Sequence, residues 1–255
     1  MRSGAAVGER LSVVIPARNE ARILHRCLDA LVAQGAGVDE IVVVDNGSSD
    51  DTAAIARSYP EVRLISEPQP GIAAARSAGF DAASGTILAR IDADSIVAPG
   101  WAAAIRDAFA ARPELDGIGG GAAIAELSPG DRYWFALHYR AFRFWHEHSI
   151  GVHSMLYGFN SAIRREAWLR ARHLVSREAE GLSEDVDLTI AVLRTGGRLA
   201  ARPEVLVKAR LFRSLAPTKL SGYYRTDDLT LARHDWGNPR RRRRGAAAGL
   251  TTVRA

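Results

Sequence analysis

The chain has one cysteine, Cys27, and its only lysines are Lys208 and Lys219. A single thiol excludes an internal disulfide framework and fits a reducing compartment. No run of about 18 or more uncharged apolar residues occurs, so no membrane-spanning helix is expected. Residues 1–10 carry no apolar core of a leader, so none is expected there and the protein reads as cytoplasmic. With lysine so scarce, the net charge of +5 rests on arginine, a bias that follows genome composition more than function. The 255 residues, 47% hydrophobic and 25% charged, have the balance of a globular protein with room for a sizeable α/β core.

The most informative segment is Ile87-Leu88-Ala89-Arg90-Ile91-Asp92-Ala93-Asp94-Ser95. An apolar run delivers two carboxylates two residues apart and then stops. In a strand, residues i and i+2 project to one side, so Asp92 and Asp94 are expected to emerge together at a strand end. Paired carboxylates there suit a hard divalent cation and, through it, a diphosphate. A loop that merely begins with acids fits the segment equally well when it is taken alone.

Around it, short β-rich runs alternate with helical patterns. Strands are expected over 11–15, 41–44, 62–66 and 86–91, and helices over 20–34, 51–58, 72–83 and 101–111. Such alternation implies parallel strands with right-handed crossovers, an α/β architecture whose ligands bind outside the carboxyl ends of the strands. Three strands end in polar sequence, at 16–20, 45–50 and 92–95. The glycine-rich stretch 117–121 has neither Walker nor Rossmann spacing and leads into an expected strand over 122–125.

Residues 131–149 form an aromatic-heavy amphipathic helix containing Tyr133, Trp134, Phe135, Tyr139, Phe142, Phe144 and Trp145. A core or dimer face is its default reading, and a membrane-interface or lipid-acceptor surface the sharper one. His138, His146, His148 and His153 match no metal motif and read as structural. The arginine run 240–244 reads as part of a solvated tail. Contact with an anionic membrane face is the sharper alternative there, and nucleic acid is not expected.

Val13-Val14-Ile15-Pro16-Ala17-Arg18-Asn19-Glu20, Glu40-Ile41-Val42-Val43-Val44-Asp45-Asn46-Gly47-Ser48-Ser49-Asp50, Asp92-Ala93-Asp94, Gly158-Phe159-Asn160-Ser161 and Ser183-Glu184-Asp185 occur in the order found in one family. Over roughly residues 11–215 the chain resembles family-2 glycosyltransferases of the GT-A fold. That fold is a Rossmann-like, mostly parallel sheet flanked by helices, with a smaller acceptor-side half. The resemblance implies a tail over 1–10, one domain over 11–236 and an Arg-rich tail over 237–255. Within the domain, 11–116 would be the nucleotide-sugar half and 117–236 the acceptor half.

It also implies roles. Pro16, Ala17, Arg18 and Glu20 would hold the nucleotide, with Asp45 on the base. Arg76 would neutralise phosphate or position the aspartate pair; a helix-surface charge is its plainer reading. Asp92 and Ala93 would lie at the donor, Asp94 would bind Mg²⁺ or Mn²⁺ directly, and Asp92 would meet the ribose or the metal shell. Asp185 would be the general base of an inverting, non-processive transfer, with Asn160 and Glu184 toward sugar or acceptor. The partners implied are a nucleotide diphosphate sugar and a hydroxyl acceptor, lipid-linked in the sharper reading, with oligomeric state left open.

Two departures stand out: Asn46 sits where many members carry a second aspartate, and the Gln-x-x-Arg-Trp motif of processive members is absent. His234 is a further candidate for the metal. Two other readings compete. One is a haloacid-dehalogenase-type phosphatase with Asp92 as nucleophile, disfavoured because no lysine lies between Asp94 and Glu184. The other is an inactive GT-A-like scaffold or membrane adaptor.

Overall fold

A computed structural model describes residues 9–123, 129–178, 181–208 and 217–237, with backbone alone for 129–138 and 217–224. The strands are β1 (Leu11–Ala17), β2 (Glu40–Asp45), β3 (Val62–Ser66), β4 (Ile87–Ile91), β5 (Ile96–Val97), β6 (Gly117–Ala123), β7 (Asn160–Arg164) and β8 (Leu199–Lys208). They form one sheet in the order β3-β2-β1-β4-β7-β6-β8-β5. The helices are α1 (Leu24–Val32), α2 (Thr52–Arg57), α3 (Ile72–Ala82), α4 (Trp101–Ala111), α5 (Pro129–Ile150), α6 (Arg165–Ala171), α7 (Glu184–Arg194) and α8 (Pro217–Arg233). Among the described residues no helix is long and apolar enough to cross a membrane.

β3, β2, β1 and β4 are mutually parallel, the arrangement expected for near-continuous apolar runs covered on both faces. Alternate residues supply the two faces. Val13, Ile15 and Val43 pack under Leu24, Leu28, Ile105 and Phe109, while Val14, Val42 and Val44 pack with Phe80, Trp168, Leu188 and Val192. Beyond β4 the sheet turns mixed: β7 runs antiparallel to both β4 and β6, and β8 parallel to β6. The glycine run is itself β6 rather than a lead into a later strand, and residues 124–125 lie outside the described residues. Here the close approach is to backbone, because a Cβ on Gly119 would stand 2.1 Å from the Met155 carbonyl oxygen.

The parallel register sets Ala17 beside Asp45, so the strand ends open on one edge of the sheet. Hydrogen bonds tie the loops beyond them together. Thr52 Oγ1 accepts the Glu20 N–H at 2.8 Å, and Asn19 Oδ1 accepts the Ser49 N–H at 2.8 Å. The Asp50 carboxylate accepts the Thr52 N–H at 3.0 Å and so starts α2.

At the opposite edge, Glu40 joins the layers: its carboxylate accepts from Ser12 Oγ at 2.5 Å, Ser84 N–H at 2.7 Å and Arg63 Nη1 at 3.3 Å. Burial raises its pKa, but these donors outweigh burial and leave it below the ordinary value. A depressed carboxylate stabilises the fold at pH values above its unfolded value of about 4.3, and that stabilisation is lost as pH falls through the folded value. Glu40→Gln is therefore expected to cost about 1–3 kcal/mol at pH 7. The gap between variant and parent should begin to narrow once pH falls below about 4.3 and keep shrinking at lower pH, as read from urea midpoints across that range.

Candidate active site

β4 stops at Ile91, and Asp92 to Ser95 form a turn closed by the Ser95 N–H on the Asp92 carbonyl at 3.0 Å. The two carboxylates thus leave the sheet through a turn rather than as successive strand positions. Ala93 between them is buried in the core. The Asp92 side chain is 38% exposed, and Asp94 is half-buried. Cys27 lies beneath them; burial, reinforced by both aspartates, pushes its thiol far up, which leaves it an inert core residue.

The residue that organises the site is Arg90, in the middle of β4 and 1% exposed. Its Nη1 lies 2.5 and 2.6 Å from the two Glu184 carboxylate oxygens and 3.6 Å from Asp185 Oδ1, and its Nη2 lies 3.4 Å from Asp92 Oδ1. Arg76, fully buried on α3, donates to the Glu184 carbonyl at 2.9 Å and to its carboxylate at 2.7 Å. Glu184 is therefore held between two guanidinium groups at the first turn of α7. Gly158 makes room for this arrangement, since a Cβ there would stand 2.4 Å from Arg90 Nη2.

The adjacent acids of α7 separate electrically. Burial raises the Glu184 carboxyl, but Arg90 and Arg76 outweigh it and hold it ionised below the ordinary range. Burial and then the neighbouring Glu184 charge push Asp185 well above that range, with Arg90 only partly opposing them. One Asp185 oxygen, Oδ1, is buried without a hydrogen-bond partner, although the side chain as a whole is 28% exposed. Asp92 is lifted to about 6 by burial, against Arg90 and together with Glu184 and Asp94.

Of the other expected site residues, Pro16 and Ala17 end β1 in the core, Arg18 is exposed, and Glu20 is half-buried. The Asp45 carboxylate accepts the Ser48 N–H at 3.1 Å. Three expectations are revised. Arg76 is neither exposed to meet a phosphate nor an exposed helix charge; it is fully buried and bonds to Glu184, which leaves only its expected positioning of acids open. Asn160 is fully buried in β7: its amide donates to Gly121 and Val205 carbonyls at 2.8 and 2.6 Å, and its oxygen accepts the Trp101 indole N–H at 3.0 Å. Its hydrogen bonding is thus spent inside the protein. His234 contacts buried Asp187 at 2.7 Å instead of joining the Asp92–Asp94 pair. His146 is likewise occupied, between Tyr157 Oη at 3.2 Å and Asp227 at 3.0 Å.

Asn46 is explained by its surroundings: it donates to the Glu67 and Gln69 carbonyls at 2.9 and 2.7 Å and accepts the Gly71 N–H at 2.8 Å. An aspartate could supply only the last of these bonds. Arg90 escaped the sequence reading, although a charge inside an otherwise apolar strand was its signal, because such a charge must be paired when buried.

Among the described residues no group of three or more His, Cys, Asp or Glu side chains could hold a metal. Asp94 nevertheless makes no hydrogen bond or ion pair among them, and with Asp92 it offers oxygen ligands only. That suits a cation held by one or two carboxylates and completed by phosphate oxygens and water, the habit of Mg²⁺ and of similar hard ions.

The family model described as Glycosyl transferase family 2 matches residues 12–169. The uncharacterized glycosyltransferase YibD of Escherichia coli is 35% identical over 94 residues, covering 35% of this chain and 27% of that protein. Glycosyltransferase AglE of Haloferax volcanii is 42% identical over 91 residues, covering 33% of this chain and 30% of that one. The matched stretches take in under a third of either relative's length. Among solved structures, the mannosyltransferase PcManGT from Pyrobaculum calidifontis, in complex with GDP-Man and Mn²⁺, superposes with TM-score 0.63 at 20% identity over 97% of this chain and 77% of that one. Glucosyl-3-phosphoglycerate synthase from Mycobacterium tuberculosis, in complex with Mn²⁺, UDP and phosphoglyceric acid, gives 0.62 at 22% identity over 91% and 81%. These likenesses establish a GT-A fold.

Asn46→Asp is expected to lose two buried hydrogen bonds and about 1–3 kcal/mol of stability, measured by chemical denaturation.

Proposed function

The chain belongs to glycosyl transferase family 2, and from that premise we propose that it moves a single sugar from a nucleotide diphosphate donor to a hydroxyl acceptor, with inversion. The observation that carries this reading is Asp185, a partly exposed carboxyl raised in pKa, whose buried Oδ1 has no hydrogen bond and only a 3.6 Å ion-pair contact to Arg90, beside the turn that holds Asp92 and Asp94. Asp185 takes the proton of the acceptor hydroxyl while that oxygen attacks the anomeric carbon. The bond from that carbon to the diphosphate breaks, and its electron pair leaves with the phosphate oxygen. A single displacement of this kind inverts the anomeric centre.

Pro16 and Ala17 at the end of β1, Arg18 and Glu20 in the loop that follows, and Asp45 at the end of β2 cradle the nucleotide. Asp94 and Asp92 would hold Mg²⁺ or Mn²⁺, which when bound supplies Lewis-acid stabilisation of charge on the leaving diphosphate. The relatives bound to GDP-Man and UDP with Mn²⁺ support this donor class. Absence of the processive motif favours one transfer per encounter over chain synthesis.

A second reading concerns where the acceptor lies. On α5, Phe144 is 74% exposed, with Trp145, Arg140 and His148 exposed beside it. Trp236 donates its indole N–H to the Ile150 carbonyl at 3.1 Å, which pins the chain to the end of α5. The arginine run 240–244, which lies outside the described residues, follows Trp236 in sequence. An aromatic face flanked by cations suits the interface of an anionic bilayer, where a lipid-linked acceptor would reside.

Asp185→Asn is expected to lower kcat by about 10²–10⁴-fold with nucleotide binding retained, and Asp94→Ala to abolish Mn²⁺-dependent binding of UDP or GDP in calorimetry. A panel of nucleotide sugars with Mg²⁺ and Mn²⁺ identifies the donor. No Mn²⁺-dependent binding of any nucleoside diphosphate would leave the scaffold reading standing. Because the base works only when ionised, kcat should rise with pH along an acid limb lying above the ordinary aspartate value of about 3.9. For the bilayer reading, removing residues 238–255 should lower binding to phosphatidylglycerol vesicles by about 100-fold or more, and Phe144→Ser should weaken it further. Unchanged partitioning overturns that reading.

A further inference from the structure

Arg90 is buried in a strand whose other residues are Ile87, Leu88, Ala89 and Ile91. A guanidinium in that setting needs close carboxylates, and it draws them from two places: Asp92 at the end of its own strand, and Glu184 with Asp185 at the start of α7. The contacts are unequal. Glu184 is held at 2.5 and 2.6 Å, whereas Asp92 and Asp185 stand at 3.4 and 3.6 Å. Arg76 grips Glu184 from α3, so the carboxylate that locks Arg90 is itself locked.

We propose that Arg90 is a positioning residue for transfer: fixed by Glu184, its guanidinium sets the spacing between Asp185 on the acceptor side and Asp92 on the donor side. This rests on Asp185 being the general base. The guanidinium is planar and presents Nη1 to the α7 pair and Nη2 to Asp92. An ammonium is a point charge and cannot span both sides at once. With Lys at position 90, Glu184 keeps a cation and the strand keeps its ion pair, but the bridge between donor-side and acceptor-side carboxylates is gone. Misplacement of about 1 Å at such a centre is enough to cost on the order of 100-fold in rate.

The test is a double-mutant cycle on the full chain, reading release of nucleoside diphosphate from UDP-glucose and GDP-mannose with Mn²⁺ and water as acceptor. Arg90→Lys is expected to lower kcat about 100-fold, leave the donor KM within about threefold and bind UDP or GDP in calorimetry as the parent does. Introduced into Asp185→Asn, the same change should add almost nothing, because Arg90 acts through the base already removed. Glu184→Gln, which removes the anchor without changing volume, should reproduce the kcat loss and serves if Arg90→Lys does not fold. Unaltered kcat in folded Arg90→Lys, or losses that multiply with those of Asp185→Asn, overturn the proposal. Full activity in Asp185→Asn alone instead overturns the base assignment, and the two failures are therefore distinguishable.

Discussion

The structure around the cleft depends on burying the positive charge of Arg90 within β4. Removing an isolated ion from water costs several kcal/mol, a penalty that only close counter-charges offset. The partners lie more than ninety residues away at the start of α7, so the need to neutralise one strand residue dictates where that helix begins. Arg76 extends the constraint to α3. Three elements from both halves of the chain are thus joined at Glu184, and the first turn of α7 is fixed near the turn that carries Asp92 and Asp94. The positive end of the helix dipole adds to the attraction for acids there, but it is a smaller effect than two guanidinium contacts.

α7 is fixed from its other side as well. Residues 185 and 187 are separated by about 200° around a helix, so they face opposite ways. Asp185 turns toward the cleft, while Asp187 is buried against Ser176 N–H at 2.8 Å, Arg233 at 2.8 Å and His234 at 2.7 Å. Thr230 Oγ1 accepts the Ser183 N–H at 2.8 Å just ahead of the helix, and Arg194 reaches the His234 carbonyl near its end. α8 therefore serves as a clamp along α7. The run of acids over 184–187 looks in sequence like a helix start rich in carboxylates. In three dimensions each acid has a separate task, and Ser183 makes no side-chain cap at all.

This division explains what the sequence disclosed. The parallel half was legible because a strand covered on both faces must be continuously apolar, and β3 and α4 fall at the expected bounds. That Asp92 and Asp94 lie just past the end of a buried strand was legible because an apolar run stops at them. Arg90 was not, since an arginine between alanine and isoleucine looks like an exposed side chain until its partners are placed. Asn160 misled for the converse reason: an amide in a functional-looking motif is read as a ligand contact, whereas here it satisfies two carbonyls of the strands beside it. β6 was misjudged because glycine disfavours strands by itself, and only the crowding from Met155 and its neighbours makes its lack of a side chain a requirement.

The residues hidden from sequence share one property: each answers to a group distant along the chain. Asn46 is fixed by the carbonyls of Glu67 and Gln69, Asn160 by those of Gly121 and Val205, and Arg90 by Glu184. Local patterns report propensity and periodicity, which settle where strands and helices run. They do not report which buried polar group a side chain must satisfy, and in this protein that second requirement fixes Glu184 and Asp185 against Arg90 and Asp92. Asp185 Oδ1 stays buried without a hydrogen bond, 3.6 Å from Arg90, because Glu184, one residue earlier, has taken the strong contacts to both arginines. Under the proposed role of Asp185 as base, Glu184 is the neighbour that absorbs the nearby positive charge.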